Sequence, residues 1–266
     1  MNGAILTLEN LTVRVGGLAA LDAVSFHVEP QTVHGLIGPN GAGKTTAFNL
    51  ISGLGHQSDG HIRFDGETID AWPSWQRAGR GLARTFQNIR MFGEMTVIEN
   101  VLAGMHAHVG GGLGATLLQL KSFRDAESAA ISKAGDILSF VGLAESAPRR
   151  AGNLPYGDQR RLEIARALAS DPKLILLDEP AAGMNPSETA SLIELLLRLK
   201  SRGVTLLLVE HDMHFIMHLC DRITVLNFGR KIAEGTPIEV RGDAKVIEAY
   251  LGTKVAERLQ AGARVR

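Results

Sequence analysis

Cysteine is almost absent from this chain of 266 residues: Cys220 stands alone, so no internal disulfide can form. A fold stapled by disulfides is excluded, and a reducing compartment is expected. The apolar setting of Cys220 in "MHLCDRITVL" marks it as a small buried side chain rather than a reactive thiol. Net charge is also missing. Lys plus Arg and Asp plus Glu are 28 each, which leaves no global field to draw the chain to nucleic acid or to an anionic membrane face. No apolar run approaches the roughly 18 residues needed to span a bilayer, and no basic-then-apolar signal stretch is seen, so a soluble cytoplasmic protein is expected. Internal repeats and low-complexity segments are lacking too, although "VAERLQAGARVR" is expected to fray.

What is present is a hydrophobic content of 45%, enough to fill the core of one large domain or two intimate ones. "ILTLENLTVRV" and "AVSFHVEPQTVHGLIG" alternate as strands do, and "HIRFDG" ends in a hairpin turn. An antiparallel sheet is therefore expected beside a parallel core. From residue 174 the order is strand "LILL", helix "PSETASLIELLLRLKSRG", strand "VTLLLV", helix "HDMHFIMHLC" and strand "RITVL", the alternation of an α/β fold. Between about 89 and 153 the pattern is helical, with stripes at Val97, Val101 and Met105, and at Phe123, Ala126, Ala130, Ala134, Ile137 and Val141. The stripes flank "GGGLGA", a flexible turn. This predicts a core over 1–88 carrying the antiparallel sheet, a helical insert over 89–153, the second half of the α/β core over 154–240, and a helical extension over 241–266.

"GPNGAGKTT", residues 38 to 46, has the spacing G-x-x-x-x-G-K-[ST] between a strand and a helix. The glycines let the backbone wrap a β-phosphate, Lys44 brings a point charge to the β- and γ-oxygens, and Thr45 is placed to ligate Mg²⁺. A bare glycine turn before a helix accounts for the spacing less fully. Asp178 closes the apolar strand of "LILLDEP", where a carboxylate is costly unless a cation faces it, and Mg²⁺ is the expected cation. Glu179 follows, either as a solvated strand-end acid or as the base that polarises an attacking water. Gln87 ends a strand at the edge of the helical insert, and His211 ends the strand "LLLVE". His211, His214 and His218 share helical spacing, but no carboxylate stands in register with them, so a metal site is not expected there. "LPYGDQRRLEIARAL", residues 154 to 168, is a second glycine turn running into a helix, and so a second place for an anion.

In this order the segments resemble the ATP-binding subunit of an ABC transporter, and the resemblance covers essentially the whole chain. "RTFQNIRMFGEMTVIENVLAG", "LLDEPAAGMNP" and "VIEAYLG" are similar to the branched-chain amino acid importer branch of that family, the LivG type. The resemblance implies a P-loop NTPase core with an N-terminal antiparallel β subdomain and an inserted α-helical subdomain. It further implies that Val15, Asn40, Gly41, Gly43, Lys44, Thr45 and Thr46 bind ATP, that Thr45, Gln87 and Asp178 hold Mg²⁺, and that Glu179, His211 and Gln87 serve hydrolysis. Gln87 then belongs to the Q-loop, "AAGMNP" is the D-loop, and 154 to 168 is the signature. Two cassettes of the family pair head to tail, so Pro155, Tyr156, Gly157 and Asp158 are implied to touch the partner's ATP, and the two anion sites belong to two different nucleotides.

Three departures stand out. Pro155 and Tyr156 replace the common Ser-Gly, leaving donors only from Gly157 and the helix start. Asp158 replaces the common Gln near a phosphate, with Arg160 or Arg161 available to neutralise it. Val15 stands where many members stack an aromatic on adenine. The implied partners are a second ATPase subunit, identical or paralogous, two transmembrane permease subunits that hold the chain at the cytoplasmic membrane face, and, indirectly, a periplasmic binding protein. Nucleic acid is not among them. An ATPase for amides, urea or lipopolysaccharide export is the alternative, followed by a soluble ABC protein outside transport.

Overall fold

The computed structural model describes residues 3–87, 89–105 and 121–251, and the "GGGLGA" turn lies outside them. The chain divides into two compact units, Met1–Ser74 with Leu196–Arg266, and Trp75–Leu195.

In the first unit, β1 (Leu6–Val15) pairs antiparallel with β2 (Leu18–Val28) and with β4 (Asp59–Phe64), which turns back into β5 (Glu67–Thr68). Leu6 sits opposite both Val28 and Phe64, and these three side chains are buried, as period-two alternation requires. The expected hairpin at "HIRFDG" turns on Asp65 and Gly66, both at positive φ, the pattern of a tight two-residue loop. The parallel core of this unit places β3 (Val33–Ile37) between β8 (Thr205–Val209) and β9 (Arg222–Asn227), with β10 (Arg230–Gly235) antiparallel on β9. Every residue of β3 and β8 is buried, which explains why "VTLLLV" reads as an unbroken apolar run. On Gly35 a Cβ would lie 3.0 Å from Cys220 Sγ, so the missing side chain admits the residue that ends α7 (Met213–Leu219). Cys220 is buried there, and desolvation pushes its thiol pKa far up, as the apolar setting predicts.

The second unit contains the parallel pair β6 (Leu82–Arg84) and β7 (Leu174–Asp178) and the helices α3 (Val97–Gly104), α4 (Lys121–Val141) and α5 (Tyr156–Leu168). Thr96 and Glu99 form a reciprocal capping box at the start of α3. Val97, Val101 and Met105 are buried as expected. The stripe on α4 is narrower than expected: Ala134, Leu138 and Val141 are buried, Ala130 and Ile137 half-buried, and Ala126 exposed. The buried set keeps i, i+4, i+7 spacing through Leu138, which the expected set skipped. Gly104 allows α3 to meet α5 closely, because a Cβ there would come within 2.4 Å of Arg166 O. No helix among the described residues is long and apolar enough to cross a membrane.

Candidate nucleotide site

The phosphate loop leaves the buried end of β3 and enters α1 (Lys44–Ile51), whose N-cap, Gly43, has φ 102° and no side chain to cap the helix. A Cβ on Gly43 would fall 2.6 Å from Ala20 O, and one on Gly38 would fall 2.1 Å from Leu226 O. Both glycines are therefore demanded by close backbone approach. Gly41, also at positive φ, faces open space. An uncapped helix start approached by glycines is what a phosphate chain needs, so the loop fits ATP. Lys44 is buried, and its Nζ donates to Gly38 O at 2.5 Å and Pro39 O at 3.0 Å. Asn40, Gly41 and Thr45 are exposed, with Thr46 half-buried beside them. Val15 is the last residue of β1, paired with Leu18 across the Gly16–Gly17 turn.

In the same unit, β8 runs through Glu210 to His211, which is exposed and donates its backbone N–H to Glu210 Oε2 at 2.9 Å. Asp212 then caps α7, accepting from His214 and Phe215 N–H. His214 and His218 are exposed and lie ring against ring, with centroids 4.1 Å apart. His218 Nδ1 is spent on His214 O.

The second unit gathers the acidic and signature residues. Asp178 ends the buried β7, and the cation that meets it is Arg84, whose Nη2 lies 2.9 Å from Oδ2. The protein itself thus supplies a guanidinium to Asp178, beside the Mg²⁺ expected there. Asp178 carboxylate and Gln87 amide oxygen in this unit, and Thr45 hydroxyl in the first, are each the kind of hard oxygen donor that suits Mg²⁺. Glu179 has φ 47°, a left-handed conformation rare for a residue with a Cβ, and this turn sends its carboxylate to Gln87, whose Nε2 donates to Oε2 at 2.8 Å. Alternation along an extended strand would send Glu179 and Asp178 to opposite faces, and the left-handed turn at Glu179 breaks that alternation.

In the signature, α5 begins after Pro155 with no side-chain cap. Pro155 and Tyr156 are exposed, Asp158 is half-buried, and Gly157 is buried against Glu188, where a Cβ would meet Oε1 at 3.1 Å. Arg161 is the arginine in reach of Asp158, at 3.9 Å; Arg160 turns inward to Glu163 and the backbone of Phe86 and Gln87. Asn185 Oδ1 accepts from Ser187 and Glu188 N–H and so starts α6 (Pro186–Ser201) directly after the D-loop segment. Arg84 and Glu163 were not foreseen as site residues, and Arg160 was expected only as a neutraliser of Asp158. The pairing of Arg160 with Glu163 at i, i+3 was visible in the sequence, but not that this face of α5 is buried.

A P-loop core with these loops in this order defines the class, and the comparisons agree: the ABC transporter family pattern matches residues 21–182. The chain belongs to the ABC transporter family and is an ATP-hydrolysing subunit of the cassette type. Residues 230–256 match the pattern of the branched-chain amino acid ATP-binding cassette transporter. The chain is 47% identical over 95% of its length, and 99% of the relative's, to BraF of Pseudomonas aeruginosa and to LivG of Escherichia coli, both high-affinity branched-chain amino acid transport ATP-binding proteins. It is 34% identical, over 94% of its length and 98% of the relative's, to the lipopolysaccharide export ATP-binding protein LptB of Haemophilus influenzae. Among solved structures, the ADP conformation of an ATP-binding cassette of an ABC transporter superposes with TM-score 0.82 at 35% identity, covering 94% of this chain and 99% of that one.

Proposed function

We propose that the chain energises import of branched-chain or related small amino acids, pairing with a second ATPase subunit and driving two permease subunits from the cytoplasmic membrane face. The observation that carries this is the match of residues 230–256 to the branched-chain cassette pattern, joined to the likeness to BraF and LivG along nearly the whole chain. The weaker likeness to LptB keeps another cargo as the second reading. A periplasmic binding protein would deliver the substrate to the permease.

In the proposed mechanism, the backbone of the phosphate loop, with Asn40, Gly41, Gly43 and Thr46, grips the phosphate chain, and Lys44 exchanges its loop carbonyls for phosphate oxygens. Thr45, Asp178 and Gln87 would hold Mg²⁺, which when bound neutralises charge on the β- and γ-phosphate oxygens. Glu179 accepts a proton from the attacking water as the new O–P bond forms and the bridging bond to the β-phosphate breaks, its electron pair leaving with ADP. Gln87 orients Glu179, and His211 donates to the γ-phosphate. Pro155, Tyr156, Gly157 and Asp158 close over the partner's nucleotide, with backbone donors from the start of α5 supplying what a signature serine would.

Glu179→Gln tests the reading. It should bind Mg-ATP, slow hydrolysis by about 10² to 10⁴-fold and accumulate as a closed pair, with itself or with a paralogue, that ADP does not support. Adding the exposed Pro155→Glu should abolish pairing and leave ATP binding intact. Loss of ATP binding by the unpaired double variant would mean that the signature serves its own chain's nucleotide. Failure of a strain deleted for the gene to lose branched-chain amino acid uptake would favour the second cargo.

A further inference from the structure

The inward turn of Arg160 and Glu163 raises a question of purpose. Both are buried, at 2% and 4% exposed, and a buried ion pair seldom repays its desolvation through mutual attraction. Here the pair spends its hydrogen bonds on one peptide segment. Phe86 N–H donates to Glu163 Oε1 at 3.1 Å, Arg160 Nη1 donates to Phe86 O at 2.8 Å, and Nη2 donates to Gln87 O at 2.5 Å, while Nη1 also holds Glu163 Oε2 at 2.9 Å. Charge-assisted bonds of this kind are short and directional, and a guanidinium fork is the group that can reach two successive carbonyls. The side chain of Gln87 then holds Glu179.

Tyr156, a departure from the family's usual glycine, extends the same connection. Its hydroxyl donates to Ala182 O of the D-loop at 2.9 Å and accepts from Arg160 Nη2 at 3.4 Å. Gly183, at positive φ, lies against the ring, where a Cβ would stand at ordinary van der Waals range. The tyrosine is 42% exposed, so it has an outward side as well as these inward bonds. A residue implied to face the partner's nucleotide thus touches the D-loop directly and the Q-loop through one guanidinium.

We propose that Tyr156, Arg160 and Glu163 form a latch that ties the signature helix to the Q-loop and D-loop of the same chain, making them positioning residues for Gln87 and Glu179. The proposal rests on the roles given above to those two groups. The latch makes the set of the hydrolytic pair depend on where the start of α5 sits, so engagement of the signature is felt at the chain's own Glu179.

Tyr156→Phe and Arg160→Lys in the full chain test this. Tyr156→Phe keeps the ring and removes the hydroxyl bonds; Arg160→Lys keeps the charge beside Glu163 but cannot fork to two carbonyls. With Mg-ATP affinity of the unpaired chain unchanged within about twofold, we expect kcat to fall about fivefold in Tyr156→Phe and about tenfold or more in Arg160→Lys, at unchanged KM. Backbone amide exchange in the segment 85–92 should quicken at least threefold in both. Wild-type kcat and exchange in Tyr156→Phe overturn the latch, and so does a lowered melting temperature with kcat and exchange unmoved; if Arg160→Lys does not fold, Tyr156→Phe decides alone. Absence of hydrolysis by the wild type, or full hydrolysis by Glu179→Gln, would instead sink the functional reading. Amide exchange needs no turnover and would still decide the latch.

Discussion

Arg84 donates to Asp178 across 2.9 Å with both side chains less than a tenth exposed, so the acid expected to face a metal ion already has a fixed protein cation. Removing one partner of a buried pair leaves the other charge uncompensated, at a cost of about 3–5 kcal/mol. Arg84→Met should therefore lower the melting temperature of the nucleotide-free chain by roughly 6–15 °C, and saturating Mg-ATP should recover a larger share than it adds to the wild type. Differential scanning calorimetry with and without Mg-ATP checks both. An unchanged melting temperature would mean that other groups satisfy Asp178.

His34, buried in β3, stacks on Phe26 with ring centroids 5.5 Å apart, and its Nε2 meets Thr224 Oγ1 at 2.9 Å. Burial pulls its pKa down to about 4; Glu234 opposes the shift, while Arg222, His27 and Lys231 add to it. The unfolded chain then takes up a proton near pH 6.5 that the folded chain refuses until about pH 4. Stability from this site is complete above pH 6.5 and is lost as pH falls toward 4, by about 3 kcal/mol. His34→Gln, which has no proton to gain, should flatten urea-unfolding free energies over that window; equal slopes in both proteins would rule the histidine out.

If Val15 stands at the base, as the family resemblance implies, it offers no aromatic platform there. Forgoing stacking of about 0.5–1.5 kcal/mol should leave ATP and GTP bound within about tenfold of one another. Calorimetric titration of both nucleotides is the check, and a preference far above tenfold would point to another ring, Trp72 or Trp75.

The segment after Gln87 offers its own surface. Arg90 lies over the Phe86 ring, 4.5 Å from its centroid, and Phe92 is 53% exposed with Arg166 lying 5.4 Å from its centroid. If this is the permease contact, Arg90→Glu and Phe92→Ala should each uncouple transport while nucleotide binding by the isolated chain stays intact. Normal uptake in both variants would place the contact elsewhere.

Much of this was legible in the sequence because it depends on short-range constraints. The spacing of Gly38, Gly43 and Lys44 is a backbone requirement: two close approaches admit no Cβ, and Gly43 leaves the first N–H groups of the helix uncapped for an anion. The unbroken apolar runs before Asp178 and Glu210 could be read as buried parallel strands, since polar residues within them would be left without partners. The family resemblance followed from the order of such local pieces.

Tertiary structure alone decided which groups meet. That Arg84 faces Asp178 depends on β6 lying parallel to β7, which brings together two residues 94 apart and which no local pattern encodes. Arg160 and Arg161 are adjacent in sequence and chemically alike. One is buried on the Q-loop backbone and the other stands by Asp158, because successive helix positions differ by about 100° and only packing selects the buried face. Glu179 reaches Gln87 through a left-handed turn that a glutamate adopts only when its surroundings hold it there, so the sequence named both residues and the fold brought them together.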